Sequence, residues 1–216
     1  MTENNNRIAA KPKNTMFIFK RWLFYFIGLI VLALGVSSVI KSNIGASAWD
    51  AFYVGLSKTV GLTTGTWVII IGLLVIFINA FLAKKRPDFP AFITIFTMGV
   101  VIDFCTLLIF QSFELVGLGA RIALFVFGFI LIAVGSGIYL QANFAAHPMD
   151  RLMFVLHDKF GLSIGIARLL CEATALILGF LLSGPVSYGT VVIALSVGPC
   201  IQFAYKKMER FYTRIT

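Results

Sequence analysis

The stretch KSNIGASAWDAFYVGLSKTVGL, residues 41 to 62, separates two long apolar runs, and QANFAAHPMDRLMFVLHDKFGL follows it one hundred residues later, at 141 to 162. Laying residue n over residue n+100 across positions 28 to 65 gives eleven identities in 38: Gly28, Ile30, Ala33, Gly35, Asn43, Ala46, Asp50, Leu56, Gly61, Leu62 and Gly65. Apolar bias alone produces matches in Ile and Leu, but not an Asn, an Asp and four Gly in one register. The chain is therefore read as an internal duplication. Further on the register slips by one or two residues, so that Pro87 faces Pro185, Gly99 faces Gly198, and Asp103-Phe104 faces Gln202-Phe203.

Outward from this motif the chain is almost entirely apolar. It has 216 residues, 59% hydrophobic and only 12% charged, with a mean hydropathy of +0.95, whereas a soluble domain carries about 25% charged residues. This is the composition of an integral membrane protein forming one membrane domain over 1–216, with a polar N-terminal tail at 1 to 15. The net charge of +9 does not point to nucleic acid, because the Lys and Arg cluster beside apolar runs, where they set membrane orientation. Cys105, Cys171 and Cys200 stand singly in apolar runs, without the spacing of a disulfide framework or a zinc site. The apolar run after Lys20 and Arg21 continues for 19 residues to Ile40 without a clear small-residue cleavage site, so it reads as a retained span and not a signal peptide.

A helix needs about 20 apolar residues to cross the hydrocarbon. Six segments qualify, at roughly 22 to 40, 64 to 83, 91 to 111, 121 to 140, 164 to 183 and 187 to 205. The segments 48 to 60 and 148 to 160 look helical but extend only about 20 Å at 1.5 Å per residue, too short to cross. The expected fold is thus all-α and polytopic: six transmembrane helices in two repeats of three, about 22–111 and 121–205, with two short re-entrant or interfacial helices. Three crossings per repeat is odd, so the second copy should enter the membrane inverted. Charge agrees. With both termini cytoplasmic, fifteen Lys and Arg fall inside and only Lys41, Lys58 and Arg121 outside. Letting the short helices cross would place Lys84, Lys85 and Arg86 outside.

The repeated motif invites two readings. In one, it caps helices: Ser47 with Asp50 reads as a capping box, Pro148 with Asp150 as Pro in the first turn followed by a carboxylate, and Gly61 and Gly161 as C-terminal caps. In the other, Asn43, Asp50, Asn143 and Asp150 bind a substrate on two re-entrant elements that enter from opposite faces, as at the broken-helix sites of transporters. A carboxylate in the first turn already occupies the positive end of the dipole, so such a site would favour a cation, a proton or a neutral polar solute. The polar residues Asp150, Arg151, His157 and Asp158 share one face, which equally suits a helix lying along the interface.

Three further polar residues lie within spans. Asp103 is a candidate coupling or proton-handling group, since an intramembrane carboxylate is a functional candidate by default. Arg168 and Glu172, four apart, are candidates too, or else a self-neutralising pair. His147 and His157 read as surface residues. The sequence holds no Ser/His/Asp arrangement, phosphate-cradling loop or metal spacing in the context those need, so neither an enzyme nor a cofactor is expected.

The motif SNIGASAWDAFYVGLSKTVGLTTGTW, flanked by apolar spans, resembles the YczE/YyaS/YitT family of bacterial integral membrane proteins, nearest its YczE branch. The resemblance covers nearly the whole chain and is most specific at Ser42-Asn43, Gly45, Trp49-Asp50, Gly61-Leu62 and Gly65; Ala48 stands where Pro is expected, and the second copy has Pro148. It implies a protein of the bacterial cytoplasmic membrane and supplies no substrate. The leading expectation is a small permease or secondary transporter. The alternative is a non-transporting membrane scaffold or accessory protein for a cytoplasmic or secreted-product pathway, docked through its basic face. The partners implied are the bilayer and a small polar solute or cation, with a homo-oligomer left open.

Overall fold

The structure, a computed structural model, describes residues 15–144 and 147–215. The expected N-terminal tail lies, apart from Thr15, outside the described residues, as does the repeat identity at Ala146. Eight α-helices are described: α1 (Thr15–Ser42), α2 (Ala48–Val60), α3 (Thr64–Ala83), α4 (Phe89–Phe104, continued by a π-helical turn over Cys105–Ile109), α5 (Gly117–Gln141), α6 (Pro148–Phe160), α7 (Ile164–Leu181) and α8 (Tyr188–Ile215). There is no strand among the described residues. Six helices are long and apolar enough to cross a membrane: Ile18–Ser42, Thr64–Ala83, Phe89–Ile109, Gly117–Gln141, Ile164–Leu181 and Tyr188–Glu209. The all-α polytopic fold read from the sequence is the fold observed.

The bounds of the short helices follow from local chemistry. Ser47 is the N-cap of α2 and its hydroxyl accepts from Asp50 N at 3.3 Å. The same hydroxyl donates to Asp50 Oδ2 at 2.5 Å, so the Asp50 carboxylate engages the cap side chain. Ala48 begins the helix without the expected Pro because this cap suffices. Pro148 sits in the first turn of α6, where its missing N–H is no loss. Gly61 and Gly161 end α2 and α6 at φ of 94° and 67°.

The long helices depart from expectation chiefly at their ends. α1 begins at Thr15 and α8 runs on to Ile215, because charged residues at a span's end continue a helix into the interface without entering hydrocarbon. α5 starts at Gly117, four residues before the expected 121.

The centre of the bundle is the α1–α5 contact, and glycine makes it. A Cβ added to Gly28 would lie 2.4 Å from Tyr139 N, and one on Gly35 would lie 2.7 Å from Ile132 N. On the facing helix a Cβ at Gly135 would lie 2.4 Å from Leu32 N, and one at Gly128 would lie 2.7 Å from Gly35 O. As numbers rise along α1 the partners on α5 fall, so the two helices are antiparallel. The contacts are also reciprocal in the register of the repeat: Gly35 meets Ile132 while Gly135 meets Leu32. Small residues let backbones approach where lipid supplies no hydrophobic drive for helices to associate. Around this seam lies the core, with Tyr25, Leu29, Ala33, Val36, Val39, Phe125, Ile132 and Tyr139 buried.

The short helices pack crosswise. α2 lies on α7, and α6 lies on α3. Ala51, Phe52 and Gly55 meet Gly179, Leu182 and Gly184, and Lys58 Nζ donates to the Ser183 carbonyl at 3.2 Å. Positions about 10 Å apart along α2 thus meet only the last turns of α7, so α2 crosses the end of that helix. On α6 the match is Asn79 Nδ2 donating to the Pro148 carbonyl at 2.9 Å and Lys159 over the Phe81 ring.

Candidate functional site

Asn43 and Asn143 are exposed, and both adopt left-handed backbone, with φ of 54° and 48°. Each N–H donates to a carbonyl three residues back, Ile40 O and Leu140 O, at 3.2 Å. Asn tolerates this conformation better than other residues with a Cβ. The repeated Asn therefore turns the chain out of α1 and α5.

The two turns stand at opposite ends of the α1–α5 pair. Arg21, near the start of α1, donates from Nε and Nη2 to the Ala142 carbonyl at 3.0 and 2.6 Å and from Nη2 to the Asn143 carbonyl at 3.2 Å. Trp22 packs on Phe144 with ring centroids 4.5 Å apart. Asn43 lies at the other end of α1, about 30 Å away at 1.5 Å per residue, a distance close to the thickness of the hydrocarbon. Asn43 with Asp50 and Asn143 with Asp150 accordingly form two separate sites, one at each end of the bundle, and do not converge on one midplane pocket.

Each site is braced by the other half of the chain. Around the first, Ala46 N donates to the Pro185 carbonyl at 3.0 Å and Gly189 N to the Ile44 carbonyl at 3.2 Å. Gly45, at φ 148°, has no room for a Cβ, which would stand 2.6 Å from Thr190 N. Around the second, Arg151 pairs with Asp88. A cavity of about 10 Å³ lies here among Asn79, Asp88, Pro148 and Arg151, room for about one water molecule. Asn79 Oδ1 is buried without a protein partner.

Asp50 is partly buried and Asp150 exposed. Burial pushes the Asp50 carboxyl up to about 6, against the opposing Ser47 hydrogen bond. At His147, burial lowers the imidazole while Asp150 opposes it. The sign for Asp50 is definite: a folded value above the unfolded 3.8 means the fold prefers the protonated acid. Its contribution to stability is therefore complete below about pH 4 and lost as pH rises through 6. Melting temperature followed from pH 4 to 7 should fall for the parent protein, and Asp50→Asn should remove most of that fall. A fall of equal size in the variant would assign it to another group.

Asp103 serves the start of α3. Its Oδ2 accepts from Thr63 Oγ1 at 2.5 Å and its Oδ1 from Gly65 N at 2.7 Å, so a carboxylate from α4 satisfies an otherwise orphaned donor in the first turn of α3. Asp103 thus lies level with the start of α3, and the span of α4 runs on past it through the π-helical turn. Arg168 Nε and Glu172 Oε1 pair at 2.9 Å on α7, both partly exposed, and neither approaches the repeated motifs. His157 Nδ1 hydrogen-bonds with the Leu162 carbonyl. Cys105 and Cys171 are buried and all three cysteines are free thiols.

Sequence reasoning missed Arg21, Lys41 and Asn79. Arg21 and Lys41, whose Nζ donates to the Phe110 carbonyl at 2.6 Å, read only as orientation charges. Asn79 is a lone amide in an apolar span, where a buried Asn has to find a partner.

Comparison with known proteins places this architecture. Residues 19–206 match the model of a family of unknown function, DUF6198. "Uncharacterized protein YyaS" of Bacillus subtilis is 34% identical over 192 residues, 89% of this chain and 96% of the relative. "Uncharacterized membrane protein YczE" of the same organism is 36% identical over 185 residues, 85% of each chain. An "Uncharacterized protein" of Haemophilus influenzae is 27% identical over 175 residues, 81% of this chain and 78% of that one. No solved structure matches. With six apolar helices around a glycine-packed seam and a family match over most of its length, the chain is an integral membrane protein that belongs to the family DUF6198.

Proposed function

We propose that this protein is a small permease of the bacterial cytoplasmic membrane, built as an inverted repeat with both termini cytoplasmic, and that it moves a cation or a neutral polar solute without catalysing a reaction. The observation that carries this reading is the reciprocal packing of the two halves. α1 and α5 meet antiparallel through glycines in the register of the repeat, and each short helix crosses onto the other half. Inverted repeats of this kind let a transporter exchange the conformations of its halves and so face each side in turn.

In this account Asn43 with Asp50 and Asn143 with Asp150 are two polar stations, one at each face. The carboxylate in each short helix disfavours an anion at the helix start. Asp103 and the Arg168–Glu172 pair are the candidate coupling groups. The Lys and Arg excess at the side of Arg21, Lys84–Arg86 and Arg151 supports the cytoplasmic assignment.

The test is flux through purified protein in liposomes holding a pH-sensitive dye, challenged in turn with sodium, potassium, neutral amino acids and sugars. We expect saturable flux of at least one solute, and a drop of tenfold or more in the Asp50→Asn, Asp150→Asn double variant while it remains folded and monodisperse. Flux unchanged in the double variant, or none for any solute, would contradict the reading.

A further inference from the structure

The α3–α4 and α7–α8 pairs hold corresponding places in the two halves, yet they pack differently. A Cβ on Gly65 would stand 2.0 Å from Gly99 O, and one on Gly99 would stand 2.5 Å from Gly65 O. Ile69 fills the space beside Gly99, Gly72 receives Ile95, and Asp103 closes the seam on Thr63 and Gly65. Their counterparts are Gly165, Leu169 and Glu172 on α7 and Gly198 and Gln202 on α8. A Cβ on Gly165 or on Gly198 would meet nothing within 4 Å, and Leu169 is 66% exposed. The seam that is shut in one half stands apart in the other.

A second observation bears on the gap. Where α3 has Gly72, which lets the fully buried Ile95 close in, α7 has Glu172, ion-paired with Arg168 and partly exposed. Glu172 is the ninth residue of the 18-residue α7, about 12 Å along it and so near the middle of a span. Ionised groups at that depth are costly in hydrocarbon and face the bundle interior or water. Water in the α7–α8 gap would satisfy that demand.

We infer that the α7–α8 seam is the open, water-filled mouth of the solute pathway, that the α3–α4 seam is its closed counterpart toward the other face, and that transport exchanges the two. This inference rests on the permease reading. With the termini cytoplasmic, Gly65, Gly99 and Asp103 lie toward the outer face and Gly165 and Gly198 toward the cytoplasm, so this conformation is open inward. An entrance that carries charges of both signs suits a hydrated polar or zwitterionic solute.

The experiment uses the full-length chain in oriented membrane vesicles, with Cys105, Cys171 and Cys200 replaced. With single cysteines, Leu169→Cys should react with an impermeant maleimide from the cytoplasmic side at least tenfold faster than Ile69→Cys reacts from either side. Oxidising Leu169→Cys to Gly198→Cys within one chain should then raise outside labelling of Ile69→Cys several-fold. The inference is overturned if Leu169→Cys reacts only with a membrane-permeant reagent, if oxidation joins two chains or bridges nothing, or if the bridge leaves Ile69→Cys unchanged. Solute flux is read separately in liposomes. Flux without the labelling exchange sinks this inference alone, whereas exchange without flux sinks the permease reading and, with it, the assignment of the seam as a solute mouth.

Discussion

Gly135→Ala is expected to leave little folded protein, although it adds a single methyl group in a residue that favours helices. The new carbon would stand 2.4 Å from Leu32 N and 2.9 Å from Gly28 O, and backbone atoms in the middle of α1 cannot rotate away. Overpacking of a tight core costs about 1–3 kcal/mol and sometimes more. Here the upper end applies, because the whole α1–α5 crossing must widen. The paired control is Gly165→Ala, where the methyl meets nothing within 4 Å and helix propensity gains up to about 1 kcal/mol. Melting in detergent, followed by tryptophan fluorescence and size exclusion, should show a large drop or loss for Gly135→Ala and no loss for Gly165→Ala. Equal tolerance at both positions would mean that glycine contacts do not hold the halves together.

The second large effect is expected at Asp103. Asp103→Ala removes two hydrogen bonds to a carboxylate, from Thr63 Oγ1 and Gly65 N, each of a type that contributes about 1.5–3 kcal/mol. It also opens a gap where the start of α3 meets α4, so we expect roughly 3 kcal/mol of lost stability. Asp103→Asn keeps one carbonyl oxygen to accept from Gly65 N and should lose about 1 kcal/mol, in line with a neutral hydrogen bond. The pair of variants separates structure from coupling. A purely structural Asp103 gives flux that tracks stability, whereas an Asp103 that also handles protons gives an Asn variant that is nearly as stable as the parent and inactive.

The elements were legible in the sequence where local chemistry fixes them. The short helices begin and end as read because Ser47, Pro148, Gly61 and Gly161 act on their own neighbours. The spans follow from hydropathy. Packing was not legible. Spans such as α3 are apolar all round and carry no periodic signal of which face meets which neighbour, and the polar face of α6 says nothing of which helix its other face packs on, so the crosswise placement of α2 on α7 and α6 on α3 could not be read. The Asn pair shows a different limit, since a repeated polar residue near a membrane span looks like a ligand site, while the backbone shows a left-handed turn that Asn suits. The reverse also occurs: Lys84 and Ser183 hold left-handed backbone at φ 51° and 58° just beyond α3 and α7, with no identity to mark them. Asp103 reads only as a carboxylate within an apolar span, whereas the structure sets it against the start of α3, with the π-helical turn carrying the span on beyond it.

The inverted arrangement of the halves is tested most directly by the sidedness of the two repeated turns. In the cysteine-free background, Asn43→Cys and Asn143→Cys, both at exposed positions, are treated separately with an impermeant thiol reagent in right-side-out and inside-out vesicles. The account predicts that Asn43→Cys labels only from the outside and Asn143→Cys only from the cytoplasmic side. Labelling of both from one and the same side would contradict it.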